Sequence, residues 1–341
     1  MPHIISAELQ RRRLPLKRPF VNSLGTLHVF DGLLLHITLD NGEIRIGEVV
    51  PLAGYSSESP EDVVHSVESW LPHLIGQNLE KARQSIASQI ALVPCASSLI
   101  LSALDASLMT EDKHKKHHYC VPCVFATSST EPEIEQIVKQ AISLGYKTIK
   151  VKIGKNLEQD LAALPSLRKA LLPDIRVRFD ANQAYKEEEA QCFLSAVEEQ
   201  LFEATELVEQ PLPPEAWNQI ESLSNKTTIP LMLDESISNL DDITRAAKVG
   251  CKWIKLKLCK QGGIHELLQL AKHAKSIGLK VVIGNGVATD VSNLLELWVY
   301  DRYRHLFDGA SESNGFAKLQ QPLIHTTLVM ESGCAVWSSN S

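Results

Sequence analysis

Apolar and polar residues change their rhythm once along this chain. Over 29–39 and 43–50 the residues are rich in β-formers, with polar positions interspersed, as in half-buried strands. Asp40-Asn41-Gly42 lies between the two segments, and that turn chemistry predicts a hairpin. Ser59-Pro60-Glu61-Asp62 then predicts a helix start, with a capping hydroxyl, proline at the first helical position and acids in the first turn. Helical patterns continue to about Met109. Two or three strands followed by about three helices predict an α+β unit over residues 1–112.

Beyond that point short apolar segments alternate with helical ones such as 157–170 and 264–277. The predicted strands are 121–126, 148–153, 175–180, 206–209, 229–234, 253–258, 280–284 and 305–308. They start 23 to 31 residues apart. Eight strands at that interval predict an α/β fold over 113–310, a barrel of parallel strands with helices outside. A doubly wound sheet would want a glycine fingerprint after its first strand, and Ala126 is followed by Thr127-Ser128-Ser129-Thr130. Residues 311–341 hold no further strand–helix unit and are expected to return to the first domain.

Composition narrows the class. Of 341 residues, 44% are hydrophobic and 22% charged, so the chain can bury a core and is not disordered. A net charge of -7 gives no global attraction to nucleic acid or an anionic membrane. No apolar run reaches the roughly 18 residues of a membrane span, and no apolar signal region follows Arg11-Arg12-Arg13. The cytoplasm is the expected compartment. Seven cysteines are an odd count for a disulfide framework. Cys120-Val121-Pro122-Cys123 reads as buried thiols at the first barrel strand. The basic run 113–118 reads as a solvated linker.

In such a barrel the chemistry sits at the C-terminal ends of the strands. Strand two ends Lys150-Val151-Lys152, and residues two apart share a face of a strand. Strands three, four and five end in Asp180, Glu209 and Asp234, and strand six carries Lys255 and Lys257. Three carboxylates at one mouth would repel one another unless a cation stood between them. All-oxygen ligands favour a hard divalent ion, with Mg²⁺ the natural candidate. Lysines beside that cation and each other are expected to have lowered pKa values and to serve as bases near neutrality. A cation that holds a carboxylate, with a lysine on each side, suits removal of the adjacent proton. A lysine that attacks a carbonyl to form a Schiff base is the alternative on lysines alone; it would not need three acids.

These segments carry a resemblance. Thr148-Ile149-Lys150-Val151-Lys152-Ile153-Gly154, Arg178-Phe179-Asp180-Ala181-Asn182-Gln183, Leu207-Val208-Glu209-Gln210-Pro211, Leu233-Asp234-Glu235-Ser236 and Lys257-Leu258-Cys259-Lys260-Gln261-Gly262-Gly263 together resemble the enolase superfamily, in its muconate lactonizing enzyme subgroup. The resemblance implies a modified TIM barrel of the (β/α)7β type under an N-terminal α+β capping domain. It implies Asp180, Glu209 and Asp234 as ligands of Mg²⁺, with Mn²⁺ as an alternative. It implies Lys152 as acid/base on one face and Lys257 on the other, with Lys150 assisting. Asn182 and Glu235 would orient these groups. The chemistry implied is proton abstraction next to a carboxylate through an enediolate, as racemisation or epimerisation of an amino-acid or dipeptide-like substrate. Muconate-type cycloisomerisation and o-succinylbenzoate-synthase-type dehydration are the alternatives. A homo-oligomer is expected. Two loops of the first domain, 18–26 and 51–57, would close over substrate, with Phe20, Leu24 and Tyr55 as pocket candidates. Dipeptide epimerases carry Asp-x-Asp at the end of strand eight; this chain has Leu306-Phe307-Asp308, so Asp308 is the candidate there for a cationic group. Asn285, between Gly284 and Gly286, is the candidate contact from strand seven.

Overall fold

The computed structural model describes residues 2–22, 25–52, 55–112, 118–324 and 327–338. The chain opens with three antiparallel strands, β1 (Ile4–Asn22), β2 (Gly25–Leu39) and β3 (Ile44–Val49), paired in that order. Helices α1 (Pro60–Leu74), α2 (Leu79–Ala87) and α3 (Pro94–Asp105) follow. After β4 (His118–Pro122) come β5 (Phe125–Ser128), α4 (Ile134–Ser143), β6 (Thr148–Lys152), α5 (Leu157–Ala170), β7 (Arg176–Asp180), α6 (Glu187–Leu201), β8 (Thr205–Glu209), α7 (Trp217–Lys226), β9 (Leu231–Leu233), α8 (Leu240–Lys248) and β10 (Trp253–Leu256). The chain continues through α9 (Leu258–Gln261), α10 (Ile264–Ser276), β11 (Lys280–Ile283), α11 (Asp290–Arg302), β12 (Val329–Glu331) and β13 (Cys334–Ser338). Strands β5 to β11 form a seven-stranded parallel sheet in sequence order. Among the described residues no helix is long and apolar enough to cross a membrane.

Local chemistry explains the first unit. Leu33, Leu35, Ile37 and Leu39 alternate along β2 and bury one face against Val63, Val67, Ile86 and Leu99 of the helices. The hairpin turns at Gly42, whose φ of 82° favours glycine, and Glu43 N–H donates to Asn41 Oδ1. Helix α1 begins as the sequence predicts: Asp62 N–H donates to Ser59 Oγ at 3.2 Å, and Ser59 N–H donates to Asp62 Oδ2 at 2.9 Å. Strand β1 has no clear sequence signal. Its arginine run is exposed on an edge strand, where Arg11 reaches Asp31 at 2.6 Å and Glu61 at 2.7 Å.

Two predicted strands are corrected. Segment 121–126 divides between two sheets: β4 pairs antiparallel with β13, and only β5 enters the parallel sheet. In β4 Tyr119 and Val121 face inward, so Cys120 is exposed, contrary to the expected buried pair; Cys123 is buried. Segment 305–308 is not a strand. Leu306 and Phe307 are buried from a 3-10 turn (Arg304–Leu306), and the chain extends only afterwards. There Asp308 N–H donates to Val281 O and Glu312 N–H to Ile283 O on one side. On the other, Ser311 N–H donates to Pro122 O and Val124 N–H to Ser311 O. Residues 308–312 thus run between β11 and the approach to β5. The later residues divide: Gln320 N–H reaches Pro15 O on β1, while β12 and β13 pair next to β4. Residues 113–117 of the basic run lie outside the described residues.

Two acids tie the first unit to the parallel-sheet region. Glu48 on β3 accepts from Thr289 N–H and Ser292 N–H, both at 3.2 Å, at the start of α11. Asp105 accepts from Ile264 N–H at 2.7 Å, at the start of α10, and pairs with Arg83. Each carboxylate meets the positive end of a helix. Next to Glu48, a Cβ on Gly47 would lie 2.0 Å from Leu99 O, so α3 packs flush on β3 only because residue 47 is glycine.

Full burial pushes the Glu48 carboxyl up to about 7, although its hydrogen bonds to Ser292 and Thr289 pull the other way. A carboxyl raised on folding binds its proton more tightly folded than unfolded. Its stabilising contribution is complete below about pH 4 and is lost as pH rises through about 7. Glu48→Gln removes this titration. The stability difference between pH 5 and pH 8, from urea unfolding, is then expected to shrink by about 3 kcal/mol. An unchanged difference would show that Glu48 stays ionised in the fold.

Candidate active site

Strand register sets the site. Lys152 pairs in register with Asp180, and Asp180 with Glu209, so three neighbouring strands end at one level. Asp234 follows β9, and Lys257 follows Lys255 and β10. Asn182, Gln183 and Gln210 then take left-handed backbone with φ of 43°, 70° and 35°. Such conformations cost energy in non-glycine residues and cluster at functional sites. Gln210 holds the next loop in place: its Oε1 accepts from Asp234 N–H at 3.0 Å and Ser236 N–H at 3.2 Å.

The buried charges alternate in sign. Lys150 Nζ donates to Glu209 and to Glu312 Oε2 (2.6 Å), and lies 2.8 Å from Asp180. Lys255 Nζ donates to the same two glutamates, at 3.1 and 2.6 Å. Lys152 Nζ donates to Asp180 at 2.6 Å and to Asn182 Oδ1 at 2.7 Å. Lys257 Nζ donates to Asp234 at 2.6 Å and lies 5.6 Å from the Tyr55 ring centre. Asn182 Nδ2 donates to Glu235 Oε1 at 3.2 Å. In sheet order Lys152 comes before the acids of β7, β8 and β9, and Lys257 after them.

Proton affinities follow from these contacts. Burial alone would favour neutral amines, but Asp180 beside Lys152 and Asp234 beside Lys257 hold both ammoniums above their ordinary value. The expected lowering belongs to lysines beside a bound cation; here the neighbouring carboxylates set the direction. Each of these two lysines faces a carboxylate more closely than it faces another ammonium, and attraction outweighs repulsion. Burial works against the charge of Asp180 and Asp234 too, yet their lysines keep both well below the usual carboxylate range. Burial and the charge of Asp180 push the Glu209 carboxyl upward, while Lys150 and Lys255 draw it back toward the ionised form.

Sequence reasoning missed several of these residues. Glu312 bridges Lys150 and Lys255, and Arg178 Nη1 donates to its other oxygen at 3.1 Å. Glu312 lies four residues beyond Asp308, past Gly309 with its φ of 67°, so the predicted strand over 305–308 ended before reaching it. Asp308 itself is away from the site. Its carboxylate binds Lys275 Nζ at 2.9 Å and accepts from Val281 N–H at the opposite end of β11. Phe20, Tyr55 and Asn285 line the small cavity, about 40 Å³, between the lysines and acids. The Asn285 side chain is committed to its own loop, donating to Val287 O at 2.8 Å and accepting from Val287 N–H at 2.9 Å. Leu24 lies outside the described residues.

Among the described residues no three acid, histidine or cysteine side chains gather as a ready metal shell, because ammoniums stand between the acids. Two features still suit a cation. Asp234 Oδ1 is buried without a hydrogen-bond partner. The donors at the strand ends are all carboxylate oxygens, the preference of a hard divalent ion.

Comparison with known proteins agrees with this layout. N-succinyl-L-Arg/Lys racemase of Bacillus cereus is 27% identical over 303 residues, covering 85% of this chain and 82% of that protein. Muconate cycloisomerase 1 of Acinetobacter baylyi is 25% identical over 338 residues, covering 94% and 90%. The crystal structure of the dipeptide epimerase from Enterococcus faecalis V583, complexed with Mg and the dipeptide L-Leu-L-Tyr, shares the fold with a TM-score of 0.86. It is 22% identical, covering 98% of this chain and 96% of that one. A family model described as enolase C-terminal domain-like matches residues 133–335. That match spans more than half of the sequence, and the chain belongs to the enolase C-terminal domain-like family.

Proposed function

We propose that this chain is a divalent-cation-dependent isomerase that moves the proton next to a substrate carboxylate, as a racemase or epimerase of an amino-acid or dipeptide-like compound. One observation carries the reading: Lys152 and Lys257 flank the same three acids from opposite sides, each bonded to the acid nearest it. Asp180, Glu209 and Asp234 would hold Mg²⁺, which supplies positive charge to the substrate carboxylate as it gains electron density. Lys150 presents its ammonium to that carboxylate. With the charge of the acids taken up by Mg²⁺, Lys152 would give up its ammonium proton, and its neutral Nζ would accept the substrate proton from one face as the C–H bond breaks, the electron pair resting on the carboxylate as an enediolate. Lys257 Nζ delivers a proton to the opposite face, and the centre inverts. Asn182 and Glu235 fix the direction of Lys152 through their hydrogen bonds.

The same reading includes the architecture. The parallel sheet is a modified (β/α)7β barrel, capped by the α+β unit of residues 1–112. Two features support closure. Residues 308–312 bond on one side to β11 and on the other to the approach to β5. Phe20 and Tyr55 reach the cavity from the first unit. With residues 308–312 in the eighth position, the boundary once set at 310 moves beyond Ser313. Likeness to muconate cycloisomerase 1 supports cycloisomerisation as a second reading.

Solvent exchange separates the two. In D₂O with Mg²⁺, an epimerase washes deuterium into both stereoisomers of its substrate, whereas a cycloisomerase does not interconvert them. Lys152→Ala and Lys257→Ala should each lower epimerisation by about 10² to 10⁴-fold, the usual contribution of a general acid or base. Each variant should also keep exchange on one stereoisomer only. Full epimerisation by either variant would sink the two-base scheme.

Cation binding has its own readout. Saturating Mg²⁺ should raise the thermal midpoint of the wild-type protein, by about 2.7 kcal/mol of stability at a hundredfold excess over Kd. Asp234→Asn should lose most of that rise. Equal rises in both proteins would place the cation elsewhere.

A further inference from the structure

Four lysines of the central cavity have a carboxylate partner. A fifth, Lys318, has none. Its Nζ donates to Gly286 O at 2.7 Å and Asn314 Oδ1 at 2.8 Å, both neutral, and lies 5.3 Å from the Phe20 ring centre. Among the described residues no acid forms an ion pair with it. The position is built. Phe316 is buried and its N–H donates to Asn293 Oδ1 at 3.0 Å, while Leu319 is buried against Leu16 and Phe30. A Cβ on Gly286 would lie 3.0 Å from Lys318 Nζ, so the glycine leaves room for the ammonium.

Lys318 stands where the small central cavity opens into a larger one of about 420 Å³ on the Lys152 side. Lys152, Lys318, Phe20 and Asn314 border both. Val124, Phe125, Ala126, Tyr146 and Met330 give the larger chamber apolar walls, and Lys17 and Arg18 stand at its rim. Its one acidic lining residue is Glu131. A substrate arm leaving the reacting carbon on this side meets carbon walls and an excess of positive charge.

We propose that Lys318 is a specificity residue that binds a second acidic group of the substrate, carried on a short carbon arm in the chamber beside Lys152. Substrates of this class are dianionic, such as amino acids acylated through a dicarboxylic acid. The inference rests on the isomerase reading for the substrate's first carboxylate, and the Lys318 site for its second. Burial and the nearby charges of Lys152 and Lys150 pull the Lys318 ammonium down to about 7, and an arriving carboxylate relieves that cost.

The test compares an acidic arm with a neutral one, with Mg²⁺ present. N-glutaryl and N-pentanoyl derivatives of the same amino acids are assayed for α-proton exchange. The wild-type ratio of kcat/KM, glutaryl over pentanoyl, should be about 10 to 100, the worth of a charge-assisted hydrogen bond. Lys318→Met should bring the ratio close to one, and Lys318→Arg should keep most of it. A wild-type ratio near one overturns the proposal without any variant, as does an unchanged ratio in Lys318→Met. Binding of glutarate against butyrate, by calorimetry, tests the subsite without turnover. Preference for glutarate that depends on Lys318 supports the subsite even where no derivative exchanges, and in that case the isomerase reading fails alone. Equal binding of the two acids by the wild-type protein counts against Lys318.

Discussion

Two buried glutamates in one cavity floor require cations between them. Glu209 and Glu312 are both almost inaccessible, and each touches both Lys150 and Lys255. The result is a closed square of alternating charge. Its corners come from β6, β8, β10 and the segment 308–312, so the square fixes the relative positions of four stretches far apart in sequence. Breaking such a set leaves an unpaired buried charge, which costs about 3–5 kcal/mol. Arg178 continues the alternation outward to Glu206, and Lys152 with Asp180 and Lys257 with Asp234 continue it toward the cavity. Lys152 and Lys257 are thus the outer members of a lattice whose centre is already neutralised.

The first unit depends on the same rule in a milder form. Glu48 is a buried acid with no ion-pair partner among the described residues, and Asp105 has Arg83. Both also meet the free N–H groups at a helix start. Of the helices they meet, α11 follows directly on the loop that carries Asn285, and α10 is separated from Lys257 only by the short helix α9. Movement of the first unit would pull on those loops. Phe20 and Tyr55, which belong to that unit, therefore reach the cavity from a frame that is anchored next to it.

Much of this was legible in the chain because parity on a strand is a local property. Lys150 with Lys152, and Lys255 with Lys257, need only a period of two to face together. The turn at Gly42 and the cap at Ser59 are likewise local, and both formed as read. Errors arose where tertiary context overrode pattern. Leu306-Phe307 looks like a strand because both are apolar, yet both are buried from a 3-10 turn. That shift moved attention to Asp308 and away from Glu312. Strand β1 was hidden because three consecutive exposed arginines, Arg11, Arg12 and Arg13, interrupt any apolar alternation, which an edge strand tolerates. The direction of the lysine pKa shifts could not come from spacing, since it depends on which neighbour lies within about 3 Å.

The two sides of the cavity differ in chemistry, and this bears on stereochemistry. On the Lys152 side stands Lys318, with only neutral partners. On the Lys257 side a chamber of about 640 Å³ is lined by Tyr55, Glu235 and Cys259, and Glu235 Oε2 is buried without a partner. Glu235 can accept a hydrogen-bond donor there, whereas Lys318 can only donate. Recognition is therefore polar in direction, while the two lysines that flank the acids are alike. Inversion by two bases would remove one proton from one face of the reacting carbon and add another to the opposite face, and need not move its other substituents. An asymmetric pair of chambers can then hold both stereoisomers in one pose, because the arms that the chambers read are the parts the reaction leaves in place.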